Sequence, residues 1–516
     1  MKTRPTWHAA LALAILAVVV YLPAIRAGQI WDDGVVTANP LVAEPAGLPR
    51  LWLQPSLNTH EPHYWPVVYT MFWLEYRLWG PNPIGYHTVN ILLHTACVVL
   101  LWVLLRRLEV PHAWLGAALF AVHPIHVESV AWMAERKDVL SAAFYLGAGL
   151  AYLRFDRTRR RRAYLLTLVF FTLAMLSKSI VVTWPAAAAL VLWWKKGRLG
   201  RGELLPLLPF ALVGAALTAF DLWLFYGLSE SSHLALTWAQ RLQLAGRALV
   251  FYPSKLLWPH PLVALYPKWR LDPAHLVAWL PLASTVAILA TLVGQRRRVG
   301  RGAVVGVLYY VLTLAPALGL VQHGFMAFAW VADRFQYLPS IGPLALAGAL
   351  LGRFRAAAAA VLLVLGVLTW RQSALYVDHI TLFRHNVAAY PQAWPARAQL
   401  SGGLANAGRH AESVEQLTEV LRYDPDERHT IHLELAAMQT NLGRWGDARE
   451  NLEAALRLVP DYAEAHYEYG RWLEKQGRRD EAAERYRRAL RLRPDFRPAE
   501  DALGALLDGL PLPGGH

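Results

Sequence analysis

Long apolar runs alternate with short polar segments over the first 370 residues of the chain. A membrane-spanning helix needs roughly 20 mostly apolar residues, and the chain contains about eleven segments of that kind. They are centred near Ile15, Ala96, Ala118, Leu146, Val169, Leu190, Val213, Ala287, Leu312, Ala345 and Leu362. The pattern predicts an all-α fold, with a polytopic membrane domain over residues 1–370.

The segment 242–257 is harder to assign because Arg247 and Lys255 interrupt it. We interpret it as an interfacial or re-entrant helix. With that choice the dense basic runs, such as 154–162 and 296–301, all fall on the cytoplasmic side, as the positive-inside tendency favours. If segment 242–257 crossed the membrane, the basic run 296–301 would lie outside. Whether this segment crosses the membrane stays open at this point.

After Gln372 the chain becomes mostly polar and repeats itself with a period of about 34 residues. The recurring residues are Pro391, Pro425, Pro460 and Pro494, then Gly408, Gly443 and Gly477, and the small residues Ala448 and Ala482. This spacing resembles the tetratricopeptide repeat, whose stacked helix pairs leave a concave binding surface. We predict an extracytoplasmic domain over 371–516 that binds protein or peptide. It would hold about three repeats between 391 and 494, a half-repeat before them and a capping helix after them.

Composition supports a membrane protein with a soluble part. Hydrophobic residues make up 55% of the chain, and its net charge is +14. The arginines cluster between apolar spans and not on one face of a soluble domain, which disfavours a nucleic-acid partner. Cys97 is the single cysteine, so no intrachain disulfide is expected. The first apolar run is interpreted as an uncleaved helix and not as a signal peptide.

Candidate chemistry gathers in the segments predicted to face outward. Two adjacent carboxylates, Asp32 and Asp33, follow the first span and would alone be read as a turn or a helix cap. The other outward residues of interest are His63, His123, His126, Glu128, Arg136, Lys137, Asp138, Lys178, Asp333 and Arg334. Ionisable groups at a membrane are costly, and their convergence on one side marks a site.

Such a set suits group transfer from a lipid phosphate. Asp32 or Asp33 would accept the proton of an acceptor hydroxyl as general base. Arg136, Lys137, Lys178 and Arg334 are the candidates for neutralising the departing phosphate. A divalent metal ion on His123, His126 and Glu128 is a weaker alternative, because one His-x-x-His does not specify a site.

Several motifs, in chain order, resemble one family. They are Trp31-Asp32-Asp33, then His94 in the second span, His123-Pro124-Ile125-His126-Val127-Glu128-Ser129-Val130-Ala131-Trp132, Glu135-Arg136-Lys137-Asp138, Leu176-Ser177-Lys178 and Ala332-Asp333-Arg334-Phe335-Gln336-Tyr337-Leu338-Pro339. Together with the repeats, they are similar to the transmembrane and tetratricopeptide-repeat-containing O-mannosyltransferases of the GT-C superfamily of glycosyltransferases.

The resemblance implies transfer of a sugar, typically mannose, from a polyprenyl-phosphate carrier to a Ser or Thr hydroxyl of a protein on the noncytoplasmic face. It also implies an essential acid in the first outward loop, where this chain has Asp32 and Asp33. The chain has fewer repeats than animal members, and its Arg and Ala richness looks bacterial. We therefore expect a multi-pass protein of a bacterial inner membrane.

Two other functions stay open. The chain could be a noncatalytic membrane scaffold whose repeats recruit a partner, or a GT-C enzyme that glycosylates lipid or oligosaccharide instead of protein. A transporter is disfavoured because the charges lie at one interface, without paired broken helices at the midplane.

Overall fold

The structure is a computed structural model, and it describes residues 7–58, 61–228, 236–423 and 428–508. The regular elements in these residues are all helical, which confirms the predicted all-α class. The chain divides into two compact units, Met1–Leu382 and Phe383–His516. The division is later than the boundary expected at residue 370, and it falls inside the helix His379–Ala389.

Helices of ten or more residues are numbered here along the chain. In the first unit they are α1 (Trp7–Val20), α2 (Pro66–Trp79), α3 (Pro83–Arg107), α4 (Ala113–Val122), α5 (Arg136–Thr158), α6 (Arg161–Met175), α7 (Trp184–Lys196), α8 (Leu208–Leu228), α9 (Trp238–Leu257), α10 (Leu280–Gly294), α11 (Arg301–Leu314), α12 (Ile341–Leu351) and α13 (Arg355–Ala374). Every predicted span centre lies within one of these helices, because each centre was placed in a long apolar run.

Four described helical segments are long and apolar enough to cross a membrane. They are Pro83–Arg107, Arg201–Leu228, Leu276–Gly294 and Arg355–Val377. Shorter apolar helices include α1, α4 and α12. These segments support a membrane protein, while the number of crossings stays a prediction. The uncertain segment forms α9, a helix with Pro253 inside it, which is not one of the four.

Small residues let α4 pack at the centre of the first unit. A Cβ added to Gly348 of α12 would lie 2.5 Å from the backbone nitrogen of Gly116 in α4, so the two helix backbones nearly touch. Such close crossings at small residues are typical of helix packing in membranes. Nine of the ten residues of α4 are buried, and the helix leads directly into the segment that begins at His123.

The segment after α1 forms the short helices Gly34–Thr37, Pro40–Ala43 and Gly47–Leu53. Its apolar side chains share one buried cluster with α2 and with Met133 and Leu140. This packing brings the first predicted outward loop against the start of α5, and so sets the position of Asp32 and Asp33.

In the second unit, α14 (His379–Ala389) is followed by helix pairs. These are α15 (Trp394–Asn406) with α16 (His410–Leu421), α17 (Arg428–Asn441) with α18 (Trp445–Leu458), and α19 (Ala463–Lys475) with α20 (Arg479–Leu492), before a final α21 (Arg497–Leu507). Gly408, Gly443 and Gly477 join the two helices of each pair with φ of +72°, +71° and +78°, values that favour glycine. Ala448 and Ala482 are fully buried. Pro425 lies outside the described residues.

Candidate active site

Asp33 is fully buried and holds two segments of backbone together. Its Oδ2 accepts a hydrogen bond from the Ile30 N–H at 2.8 Å, and its Oδ1 accepts one from the Ala134 N–H at 2.9 Å. Burial raises the pKa of this carboxyl well above its ordinary value, and the two backbone donors lower it. Because both oxygens are occupied, Asp33 ties the first loop to the segment that precedes α5.

Asp32 lies in different surroundings although it is the next residue. Its side chain is partly exposed, and its Oδ1 is buried without a hydrogen-bond partner among the described residues. Burial raises the pKa of Asp32 to about 6, while the nearby Lys137 lowers it. Of the two adjacent carboxylates, Asp32 is therefore the one with a free oxygen and a pKa near neutrality.

Three cations converge on one buried carboxylate, Glu135, and we call these four residues the Glu135 network. Lys137 Nζ lies 3.4 Å from Glu135 Oε1, Lys178 Nζ lies 3.5 Å from Oε2, and Arg334 Nε lies 3.2 Å from Oε1. Burial would raise the pKa of Glu135, but Lys137, Arg334 and Lys178 together hold it well below its ordinary value. The network charges also act on Asp32, through Lys137, Glu135 and Arg334.

Further carboxylates hold each cation from outside the network. Lys137 Nζ donates to Glu61 Oε1 at 2.7 Å, Lys178 Nζ donates to Asp138 Oδ1 at 2.5 Å, and the Arg334 guanidinium pairs with Glu128. Glu128 also accepts a hydrogen bond from the Arg334 N–H at 2.9 Å. The structure thus brings together Lys137, Lys178, Arg334, Glu128 and Asp138, five of the residues that the sequence predicts for the site.

Arg136 is not brought to this cluster. Its guanidinium is fully buried, pairs with Glu75 and Asn90, and donates to the Tyr86 carbonyl at 2.8 Å. It also lies over the Phe72 ring, 4.9 Å from the ring centroid. The predicted phosphate-binding arginine is therefore engaged in an ion pair inside the protein.

The histidines form hydrogen bonds with backbone carbonyls and hydroxyls. His123 donates through Nε2 to the Leu256 carbonyl at 3.0 Å, and His126 donates through Nδ1 to the Phe120 carbonyl at 2.8 Å. Burial lowers the pKa of His123 to about 4 and that of His126 well below its ordinary value, so both rings are neutral. The Nδ1 of His94 lies 2.7 Å from the Tyr337 hydroxyl.

These contacts bear on the predicted metal site of His123, His126 and Glu128. A metal ligand needs a free lone pair. The second ring nitrogen of each histidine is also engaged, since His123 Nδ1 accepts from the Ile125 N–H and His126 Nε2 lies 2.8 Å from the Ser340 hydroxyl, and Glu128 is paired with Arg334. Over the described ranges, no group of three His, Cys, Asp or Glu side chains is placed to hold a metal ion. The structure does not bring these three residues together as ligands.

His63 and Asp333 lie outside the ion pairs of the network. His63 Nδ1 lies 3.2 Å from Asp221 Oδ2, and its ring stacks on Trp65 with centroids 4.3 Å apart. Asp221 also accepts hydrogen bonds from the Tyr64 N–H at 2.7 Å and the Ser179 hydroxyl at 2.5 Å. Asp333 Oδ2 accepts from the Tyr266 hydroxyl at 2.9 Å.

Sequence reasoning missed Glu61, Glu135 and Asp221 as site residues. For Asp221 the available signal was a lone acid inside an apolar span, a position that is costly unless the acid has partners. Glu135 belonged to a noted charged block but carried no feature that set it apart from its neighbours.

Two family models match the chain. Residues 60–226 match the dolichyl-phosphate-mannose-protein mannosyltransferase family, and residues 427–495 match the tetratricopeptide repeat. The first match contains Lys137 and Lys178 but not Asp32 or Arg334, whereas the second covers the last two helix pairs of the second unit.

Part of the chain is also similar to proteins named protein O-mannosyl-transferases. Protein O-mannosyl-transferase Tmtc1 of Drosophila melanogaster is 34% identical over 177 residues, which cover 33% of this chain and 21% of that protein. Protein O-mannosyl-transferase TMTC4 of Homo sapiens is 33% identical over 211 residues, 35% of this chain and 28% of that protein. The matched region is thus less than a third of the length of either relative. In these parts the chain is similar to the dolichyl-phosphate-mannose-protein mannosyltransferase family, to the tetratricopeptide repeat and to proteins named protein O-mannosyl-transferases.

Proposed function

We propose that this protein is a membrane glycosyltransferase that moves a sugar, mannose in the first instance, from a polyprenyl-phosphate carrier to a Ser or Thr hydroxyl of a protein. The observation that carries the proposal is the unpartnered Asp32 oxygen beside the cations of the Glu135 network. The relatives' names, which describe protein O-mannosyl-transferases, support the choice of sugar and acceptor.

Asp32 would act as the general base. A catalytic base works best when its pKa lies near the working pH, and the pKa of Asp32 is about 6. The acceptor hydroxyl gives its proton to the free Asp32 oxygen as its own oxygen bonds to the anomeric carbon of the sugar. The bond from that carbon to the phosphate oxygen breaks, and its electron pair leaves with the phosphate. Attack from the face opposite to the phosphate inverts the configuration.

Lys137, Lys178 and Arg334 would stabilise the charge on the departing phosphate. Fixed cations in a partly dry site stabilise developing negative charge more than mobile water does. Their carboxylate partners keep the cations in place before the donor arrives. The donor phosphate must then compete with Glu135 and the outer carboxylates, so its binding should weaken as salt screens the phosphate.

The proposal places the reaction on the noncytoplasmic face of a multi-pass protein of a bacterial inner membrane. The repeats of the second unit would bind the acceptor protein, since stacked repeats of this kind present an extended concave surface. The lipid carrier and the acceptor are therefore the proposed partners.

The test uses membranes incubated with radiolabelled polyprenyl-phosphate-mannose. We expect label to move to protein and alkali to release it, as an O-linkage requires. Asp32→Asn should lower this transfer by about 10²- to 10⁴-fold, the usual contribution of a general base, while membrane insertion persists. Normal transfer by Asp32→Asn would overturn the proposal. Label in lipid or oligosaccharide would instead support that acceptor class, and a chelator tests the divalent-metal alternative.

A further inference from the structure

A basic pocket lies at the end of α7 that is remote from Lys178. It has a volume of about 450 Å³ and is lined by Trp193, Gly197, Arg296, Arg297, Gly300 and Arg301. Gly197 ends α7, and the arginines come from the short helix Arg296–Val299 and from the start of α11. Three guanidinium-bearing residues therefore surround one opening, with no carboxylate among the lining residues.

These arginines lack acidic partners. Arg296 donates to the Val293 carbonyl at 3.1 Å, whereas the guanidinium groups of Arg297 and Arg301 form no hydrogen bond or ion pair with any described residue. By contrast, the nearby Lys196 Nζ lies 2.7 Å from Asp156 Oδ1. Clustered like charges repel each other, so the pocket has a net affinity for an anion.

An apolar cavity of about 300 Å³ is lined in part by residues that are next in sequence to those of this pocket. Its walls include Leu108, Leu192, Trp194, Gly302, Ala303 and Gly306. On α7 the pocket is lined by Trp193 and the cavity by Trp194, and on α11 the pocket is lined by Arg301 and the cavity by Gly302. On each of these two helices, one residue lines the basic opening and the next residue lines the hydrocarbon-lined space.

The basic pocket is remote from the Glu135 network, whereas the apolar cavity extends along α7 as far as Trp184. From Trp184 to Trp193, α7 rises about 14 Å, at roughly 1.5 Å per residue, and Lys178 precedes that helix. The segment Leu276–Gly294, which is long and apolar enough to cross a membrane, ends just before Arg296. The pocket therefore lies at the end of a segment that could cross a membrane, and tryptophans such as Trp193 are typical of the depth where such a segment meets water.

We infer that this site binds an anionic phospholipid. Arg297 and Arg301 would hold the phosphate, for which a guanidinium offers two parallel donors, with Arg296 beside them. One acyl chain would fill the apolar cavity. A soluble anion would leave that cavity empty, and a zwitterionic headgroup would bring its own cation against three arginines. The site does not depend on the proposed glycosyl transfer.

The test compares the purified full-length chain in mixed micelles with phosphatidylglycerol or with phosphatidylcholine. We expect phosphatidylglycerol, but not phosphatidylcholine, to raise the thermal unfolding midpoint. The variant Arg297→Ala with Arg301→Ala should weaken phosphatidylglycerol binding about tenfold or more, because two charge-assisted contacts are lost. As a matched control, Arg161→Ala with Arg162→Ala removes two exposed arginines outside the pocket and should keep the effect.

A second arm tests the cavity. Ala303→Leu adds bulk to its wall, while Ala287→Leu adds the same bulk to an exposed face of α10. Only the first should reduce the shift given by phosphatidylglycerol.

Several outcomes would overturn the inference. These are equal stabilisation by both lipids, an equal loss in the Arg161 and Arg162 control, or the same shift from inorganic phosphate alone. If Ala303→Leu leaves the shift given by phosphatidylglycerol unchanged, the acyl chain does not occupy the cavity. If Ala303→Leu blocks stabilisation by a polyprenyl phosphate while sparing that by phosphatidylglycerol, the cavity belongs to the sugar donor instead.

Discussion

Asp32 and Asp33 are identical in covalent structure, yet the groups around them make them chemically different. Backbone N–H groups of Ile30 and Ala134 occupy both oxygens of Asp33. Asp32 keeps a buried oxygen without a partner in the described part of the chain. Asp33 therefore fixes the loop, and under the proposed function Asp32 would meet the substrate.

The pH dependence of transfer tests the role of Asp32. A base must be deprotonated to accept a proton, and the pKa of Asp32 is about 6. Initial rates of sugar transfer should be level above that value and fall about tenfold for each pH unit below it. Radiolabel transfer measured between pH 4.5 and 8 checks this expectation. A rate that stays level through pH 5 would assign the base to another group.

Stability should separate the two aspartates. Asp33→Asn replaces one acceptor of a backbone N–H with an amide donor and should lower the free energy of unfolding by about 1–3 kcal/mol. Asp32→Asn should not lower it at pH 7. A carboxyl with a raised folded-state pKa contributes stability only at low pH and loses it as the pH rises through about 6. Thermal unfolding of both variants at pH 5 and pH 7 tests this difference. Equal losses of stability in the two variants at pH 7 would contradict the prediction.

At the scale of elements, Glu135 joins segments that are far apart in the sequence. Lys137 lies in the first turn of α5, Lys178 precedes the 3-10 helix Ser179–Thr183, and Arg334 lies in the 3-10 turn Asp333–Gln336. Each cation is also paired with an outer carboxylate. A single carboxylate therefore links three elements, and two of its cations, Lys137 and Arg334, also act on the charge of Asp32.

Removing that carboxylate should be costly. Glu135→Gln leaves three buried cations with fewer partners, and breaking such a cluster costs about 3–5 kcal/mol of the free energy of unfolding. The pKa of Glu135 is lowered, so its stabilisation is full above the ordinary Glu pKa and is lost as the pH falls through the folded-state value. The variant should therefore lose more stability at pH 7 than at pH 3.

The matched control is Glu109→Gln, which removes an exposed partner of Lys195. An exposed ion pair of this kind contributes about 0–1 kcal/mol. If both variants unfold at the same temperature, the Glu135 network does not stabilise the fold.

Arg136 and Lys137 show which parts of the site could be predicted from the sequence. The span centres were predictable because an apolar run specifies a helix locally. The direction of a charged side chain was not, because consecutive residues of a helix point about 100° apart. Arg136 thus faces Glu75 inside the protein, while Lys137 faces Glu61 and the network. Glu75 lies 61 residues before Arg136 and Glu61 lies 76 residues before Lys137, in segments whose pairing the sequence does not show.

The Arg136 ion pair provides a test of that difference. Arg136→Gln should lower the free energy of unfolding by about 3–5 kcal/mol, because Glu75 is left buried without its cation. Adding Glu75→Gln should recover part of the loss. Transfer activity per folded molecule should stay close to that of the natural chain. A folded Arg136→Gln variant without transfer activity would instead support the predicted role of Arg136 in binding the donor phosphate.

At the scale of the whole molecule, the candidate site and the repeats lie in different units. The site residues described above all belong to Met1–Leu382, while the repeats lie in Phe383–His516. The repeats were predictable because glycines and alanines recur in the sequence at one spacing, and the structure gives these glycines φ of +71° to +78° and buries the alanines. The site residues come from several loops with no common spacing, and only the fold brings them together.

This division predicts how truncation affects activity. Removing residues 383–516 should leave transfer of labelled mannose to a short Ser- or Thr-containing peptide within about threefold of the full chain, because Asp32 and the Glu135 network are retained. Transfer to the full acceptor protein should fall through a raised KM, since a repeat surface contributes binding and not chemistry. Truncated and full chains with matched thermal unfolding of the membrane unit provide the control. Under the scaffold alternative neither chain transfers label, and loss of peptide transfer by a folded truncated chain would show that the repeats complete the catalytic site.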